Sequence, residues 1–101
     1  MQVAMAIEFR DVWLEGFYEE DRSHKKIPST IATALYRKLQ ILDAATQESD
    51  LRVPLGNRFE HLQGSLSGWC SIRVNKQYRL IFRWAAGLAH DTYLDPHAYK
   101  G

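Results

Sequence analysis

Cysteine is almost missing from this chain: Cys70 stands alone. A lone thiol closes no internal disulfide, so the fold must rest on its core and asks for no oxidising compartment. Cysteine-rich zinc sites are excluded by the same count. Long apolar runs are missing too; none approaches the roughly 20 residues that a membrane span needs. Residues Met1 to Phe9 lack a basic region followed by an apolar stretch, so no signal peptide is expected and the expected location is the cytoplasm. There is no repeat and no low-complexity tract. Net charge is close to absent, with 13 Lys and Arg against 12 Asp and Glu.

What is present points to a globular domain. A length of 101 residues fits one domain over 1–101, which buries about 60–65% of its unfolded surface and builds a single core. With 46% hydrophobic and 25% charged residues, dominant disorder is excluded. The small net charge hides an asymmetry. Residues 1–50 carry six basic and nine acidic side chains, residues 51–101 seven and three. Over 51–83 the count is six to one, with Glu60 the only acid. A basic half is what a phosphate-binding surface requires, although an uneven solvated surface gives the same count.

Periodicity supplies the elements. Ile7-Glu8-Phe9 alternates as a short strand. Asp11 is placed to cap a helix running through Glu19, with Trp13, Leu14 and Phe17 on one face. Glu20 to Lys26 reads as a polar loop. Pro28 and Ser29 open the clearest helix, with Ile31, Leu35, Leu39 and Leu42 along one stripe that Ala32 and Ala45 widen, and with Lys38 to Asp43 as its solvated side. Thr46 to Asp50 is a polar exit, and Pro54 to Asn57 a turn. Three strands are then expected at Arg58–Leu62, Trp69–Val74 and Tyr78–Trp84, with a flexible loop at Ser65–Gly68 and a tight Asn75-Lys76 turn that uses the tolerance of Asn for positive φ. Ala85-Ala86-Gly87 turns into a last strand over about Leu88–Leu94. Strand, two helices, then a meander is an α+β order, with both helices on one face of a mostly antiparallel sheet.

Such a sheet leaves its other face uncovered. Alternation places Cys70, Ile72 and Val74 toward the core, and Trp69, Ser71, Arg73, Arg79 and Arg83 on the open face. Arginines beside an aromatic ring suit single-stranded RNA, charge for phosphates and ring faces for bases; an ordinary polar outer face shows the same alternation. Cys70 on the core side reads as an inert thiol. His24 and His90 sit in no metal-ligand spacing, so no metal site is expected.

Two segments carry a resemblance. Gly56-Asn57-Arg58-Phe59-Glu60-His61-Leu62-Gln63-Gly64 and Ser71-Ile72-Arg73-Val74-Asn75-Lys76-Gln77-Tyr78-Arg79-Leu80-Ile81-Phe82, together with the helix exit Leu42 to Thr46, resemble HigB toxins of the RelE superfamily, including their GraT-like branch. The resemblance covers most of the chain from about Leu35. It implies the RelE-like fold and a toxin encoded beside a helix-turn-helix antitoxin of the HigA type. It also implies an enzyme that cuts mRNA on the ribosome without metal or cofactor, the 2′-hydroxyl attacking the adjacent phosphate. That chemistry takes a base for the hydroxyl proton, a cation for the phosphorane charge and an acid for the leaving oxygen.

The implied site carries over unevenly. Arg79 matches the family arginine whose role is charge stabilisation at the phosphate. Many HigB toxins have a His where Glu60 stands and a Lys where Gln63 stands. The GraT-like branch shares the Glu, whereas Gln63 removes a positive charge. The family's Asp-Tyr-His ending becomes Asp95-Pro96-His97, followed by Tyr99. His97 keeps a group able to act as acid or base, Asp95 is placed to orient it or to end the strand, and Tyr99 is the available substitute for the missing ring. Arg58, Arg73, Lys76 and Arg83 are expected RNA contacts. His61, on the opposite pleat from Glu60, is open to an RNA-binding or a structural role. Two other readings remain: a ParE-like toxin that shares the fold but poisons DNA gyrase, and a catalytically weakened toxin acting mainly in a regulatory complex with its antitoxin.

Overall fold

The structure is a computed structural model and describes residues 7–96. In chain order the strands and α-helices are β1 (Ile7–Phe9), α1 (Val12–Glu20), α2 (Ala32–Ala44), β2 (Glu60–His61), β3 (Cys70–Arg73), β4 (Arg79–Ala85) and β5 (Leu88–Asp95). They form a five-stranded sheet of order β1-β5-β4-β3-β2. β1 runs parallel to β5 and every other neighbouring pair is antiparallel. The expected α+β architecture, two helices on one face of a mostly antiparallel sheet, is the one observed.

The helices form where apolar spacing follows 3.6 residues. Leu14 and Phe17 of α1 are buried, as are Leu35, Leu39 and Leu42 of α2 with Ile31 and Ala45 at its two ends. These side chains share one cluster with Ile7, Cys70, Ile72, Leu80, Phe82 and Leu94, so the core lies between the helices and one sheet face. A 3₁₀ turn at Ser29–Ile31 leads into α2 without a side-chain cap. α1 also lacks the expected cap: the Asp11 carboxylate accepts instead from Arg10 Nη2 at 2.9 Å. Trp13 departs from the expected stripe, lying only partly buried and stacked on His24 with ring centroids 4.8 Å apart.

Lys38 and Asp43 correct the reading of α2's solvated side. Lys38 Nζ reaches Asn57, and Asp43 accepts a 2.7 Å hydrogen bond from the Tyr18 hydroxyl. Burial first, and the Asp43 carboxylate second, push the Tyr18 phenol well above its ordinary range. Both helices are thereby joined by polar tips as well as by the apolar core.

Strand ends are tighter than the sequence suggests. β2 begins at Glu60 because Arg58 takes a left-handed φ of 45° and closes a 3₁₀ turn over Leu55–Asn57. A further 3₁₀ turn, Gly64–Leu66, occupies the expected flexible loop. β3 and β4 are joined by five residues, because Arg73 pairs with Arg79. Asn75 works there through its side chain rather than through positive φ: its Oδ1 accepts from the N–H groups of Gln77 and Tyr78 at 2.9 and 2.7 Å. The two-residue turn sits instead between β4 and β5, where Ala86 and Gly87 have φ of 54° and 75°, the backbone signs of a hairpin turn that follows strand twist.

β5 slips by one residue against both neighbours, with Asp91 at a φ of 53°. Such a bulge bends a strand and re-aims its side chains. Beyond it, Tyr93 lies opposite Ile81 and Asp95 opposite Arg79, both on the uncovered face.

Leu39 has no exposed surface. Leu39→Ala should therefore lower unfolding free energy by about 2–5 kcal/mol through lost burial and the cavity left behind. Urea unfolding followed by circular dichroism checks this; a loss below about 0.5 kcal/mol, the scale of a surface change, would contradict the packing described.

Candidate active site

The site begins with Asn57, a fully buried polar residue that ends the 3₁₀ turn introducing β2. Its Nδ2 donates to the carbonyl oxygens of Leu51 and Val53 at 3.1 and 3.2 Å, and its Oδ1 accepts from Lys38 Nζ at 2.5 Å. Burial pulls the Lys38 ammonium below its ordinary pKa. The carboxamide thus pins the segment before β2 to α2. From this anchor the chain releases Arg58 and then Glu60 onto the open face of the sheet.

Pairing does the rest. Glu60 lies opposite Ser71, Arg73 opposite Arg79, and Arg79 opposite Asp95. The result is a cavity of about 350 Å³ lined by Arg58, Glu60, Ser71, Arg73, Asn75, Gln77, Tyr78 and Arg79. Four of the side chains expected from the sequence therefore share one concave surface, although they lie on different elements. The Arg79 side chain is only 15% exposed, with Nη1 3.5 Å from Glu60 Oε1 and Nε 3.3 Å from Asp95 Oδ2. Flanking carboxylates hold a guanidinium in plane and orientation, and its five donors suit bidentate recognition of phosphate. Partial burial strengthens any charge contact made in the cavity.

The remaining expected residues spread outward from there. Lys76 is exposed on the β3–β4 loop, between two residues of the cavity wall. Arg83 is on the same face four residues along β4 from Arg79, bonded through Nε to Asp91 at 2.9 Å and lying 5.7 Å over the Trp69 ring. Gln63 is exposed beyond the end of β2 and does not line the cavity. His61 lies opposite Cys70 and turns to the other face: its Nδ1 is 3.5 Å from Cys70 Sγ and its Nε2 3.0 Å from Glu48. That hydrogen bond from His61 is the main cause holding the Glu48 carboxyl below its ordinary range. Burial raises the Cys70 thiol, which fits an inert core position. His97 and Tyr99 lie outside the described residues.

Three contributors escaped sequence reasoning. Tyr78, which alternation with Arg79 puts on the opposite face, lines the cavity from its place just before β4. Tyr93 stands beside Ile81 on the open face, and Arg10 packs over its ring at 3.9 Å. Tyr93 in turn meets Trp69 edge-on at 5.8 Å. Arg10, Tyr93, Trp69 and Arg83 thus form a row across the sheet, two touching rings with a cation at each end. Burial pushes the Tyr93 phenol up, with Asp95 adding to the shift. Alternation within β5 carried the signal for Tyr93; for Arg10 there was none, because its place depends on the parallel pairing of β1.

Chemically, the cavity offers cationic donors beside a carboxylate, a combination suited to phosphate binding and proton transfer. Among the described residues, no three His, Cys, Asp or Glu side chains gather as a metal site, and no helix is long and apolar enough to cross a membrane.

A family model described as the RelE-like toxin of the type II toxin–antitoxin system HigB matches residues 7–97. Toxin HigB-1 of Vibrio cholerae serotype O1 is 70% identical over 95 residues, which is 94% of this chain and 100% of that protein. An uncharacterised protein of Haemophilus influenzae is 44% identical over 92 residues, 91% of each chain.

Asn57→Ala should strand two carbonyl groups and the Lys38 ammonium. An unsatisfied buried group costs about 1–3 kcal/mol; only the Leu51 bond is fully buried and the other two are partly so, so the expected loss of unfolding free energy is about 2–4 kcal/mol. Denaturant titration measures it; a variant as stable as the parent would show that the clamp does not hold the segment.

Proposed function

The chain belongs to the HigB family of RelE-like toxins from type II toxin–antitoxin systems, and from that premise we propose that it is a metal-independent endoribonuclease that cuts mRNA on the ribosome and so stops translation. The observation that carries the reading is the placement of Arg79, partly buried between Glu60 and Asp95 in a cavity that also presents Arg58 and Arg73.

In the proposed reaction the 2′-hydroxyl attacks the adjacent phosphate, the 5′-oxygen leaves, and a cyclic phosphate remains. Negative charge grows on the phosphoryl oxygens during this step. Arg79 is the preorganised donor for it, since its flanking carboxylates fix its direction before substrate arrives. Glu60, on the cavity wall beside Arg79, is the candidate base for the 2′-hydroxyl proton. His97 is the candidate acid for the leaving oxygen. Arg58, Arg73, Lys76 and Arg83 provide the charge that holds the surrounding phosphates. Gln63 supplies no charge where many HigB toxins carry a Lys, which favours a slow enzyme over a fast one.

As a member of a type II system the toxin has an antitoxin partner. We take that partner to be a helix-turn-helix protein of the HigA type, the site of action to be the cytoplasm, and residues 1–101 to be one domain. A ParE-like gyrase poison acts by protein contact, and the placement of Arg79 in a basic cavity favours the nuclease over it.

Primer extension on a defined mRNA tests the reaction class. Cleavage is expected with translating ribosomes and negligible without them. Equal cleavage of naked mRNA, or gyrase inhibition with intact transcripts, would sink the proposal.

Single-turnover kinetics test the role of Arg79. Arg79→Ala should slow cleavage by roughly 10²–10³, the usual scale for one preorganised donor, while ribosome affinity changes far less. Arg73→Ala should do the reverse, binding more weakly yet cutting at a near-normal rate once bound. An Arg79→Ala rate within about twofold of the parent would remove Arg79 from the chemistry.

A further inference from the structure

The cavity around Arg79 has a neighbour at the same end of the sheet. A second cavity of about 410 Å³ is lined by Arg10, Trp13, Lys25, Lys26, Tyr78 and Leu94, among others. Every charged residue on its wall is a cation. The acid paired with one of them, Asp11, bonds Arg10 at 2.9 Å and does not line the space. Trp13 is held by its stack on His24, and the Lys26 ammonium lies 5.7 Å over its ring. Tyr78 lines both cavities, so the two share a side chain. The volume is at the lower end of small-ligand sites, roughly 300–1,000 Å³. Apolar ring walls with a cationic rim are the composition that takes an unstacked base together with its phosphate.

We propose that this second cavity is a substrate subsite that receives the nucleotide adjoining the cleaved phosphate, its base against Trp13 and Tyr78 and its phosphate met by Lys25 and Lys26. The inference rests on the RNA-cleaving reading of the Arg79 cavity. The strand crosses the sheet end over Tyr78, with the reacting phosphate on the open face and the next nucleotide on the helix side. Trp13 acts here as a positioning residue. It touches no reacting atom, and it sets how the strand is presented to Arg79.

The test uses the full-length protein on ribosomes holding mRNA with either an intact or an abasic nucleotide at each position flanking the cleaved bond. For the parent protein, one abasic position should lower kcat/KM by roughly 5–150-fold, the loss of one base–aromatic stack. Trp13→Ala should cut intact mRNA at that lowered level and be indifferent to the abasic change, and Trp13→Phe should restore the difference. Circular dichroism of Trp13→Ala guards against a folding defect; should that variant unfold, the Lys25→Ala, Lys26→Ala double variant replaces it, with weaker salt dependence of mRNA binding as the expected result. If the parent cuts intact mRNA and ignores abasic positions on both sides, the subsite is overturned and the nuclease reading stands. If the parent cuts no mRNA, both fall together. If the lysine variant binds antitoxin more weakly while cutting normally, the cavity belongs to the antitoxin and the proposal is wrong.

Discussion

One buried carboxamide orders most of what matters in this molecule. Asn57 has no solvent to fall back on, so its donors and acceptor must be met inside the protein. They are met by Leu51, Val53 and Lys38, residues from the segment before it and from α2. This ties the irregular stretch between α2 and β2 to the rigid helix. The left-handed backbone of Arg58 and the short strand starting at Glu60 follow directly from that anchor. Without it the first wall of the cavity would hang on an irregular loop.

The second ordering device is electrostatic. The basic surplus of the second half is not spread over the surface as a uniform field. Arg79 is set between Glu60 and Asp95, Arg83 is paired with Asp91, and Arg10 with Asp11. Exposed pairs of this sort contribute little to stability. Their effect is on direction, since each carboxylate fixes a long, flexible cation over a ring or toward a cavity. Arg10 over Tyr93 and Arg83 over Trp69 are instances. The bulge at Asp91 contributes as well, because it returns Tyr93 and Asp95 to the open face after the strand bends.

Motif residues divide into two kinds once their contacts are known. Asn57 and Asn75, conspicuous in the sequence, are structural: one clamps a segment, the other accepts two backbone N–H groups in the β3–β4 loop. Ile72, Val74 and Phe82 fill the core. Arg58, Glu60, Arg73 and Arg79 reach the cavity. His61, adjacent to Glu60, goes to the other face because successive strand residues point oppositely. Resemblance alone does not separate these kinds, since a family keeps residues for either reason.

The sequence by itself determined the elements and their faces. The stripe from Ile31 to Leu42 and the alternation from Cys70 to Phe82 are local properties, readable because side-chain direction repeats with backbone geometry. They were enough to place Arg73, Arg79 and Arg83 on one open face and Leu39 in the core. Element ends were less legible, because Arg58 and Asn75 answer to hydrogen bonds rather than to periodicity. Which residues meet was decided only by the tertiary structure. The pairing of Arg79 with Asp95, the parallel docking of β1 that brings Arg10 to Tyr93, and the place of Tyr78 between two cavities all depend on register. Register is a relation between segments far apart in the chain, set by the joint packing of both sheet faces, and no local pattern carries it.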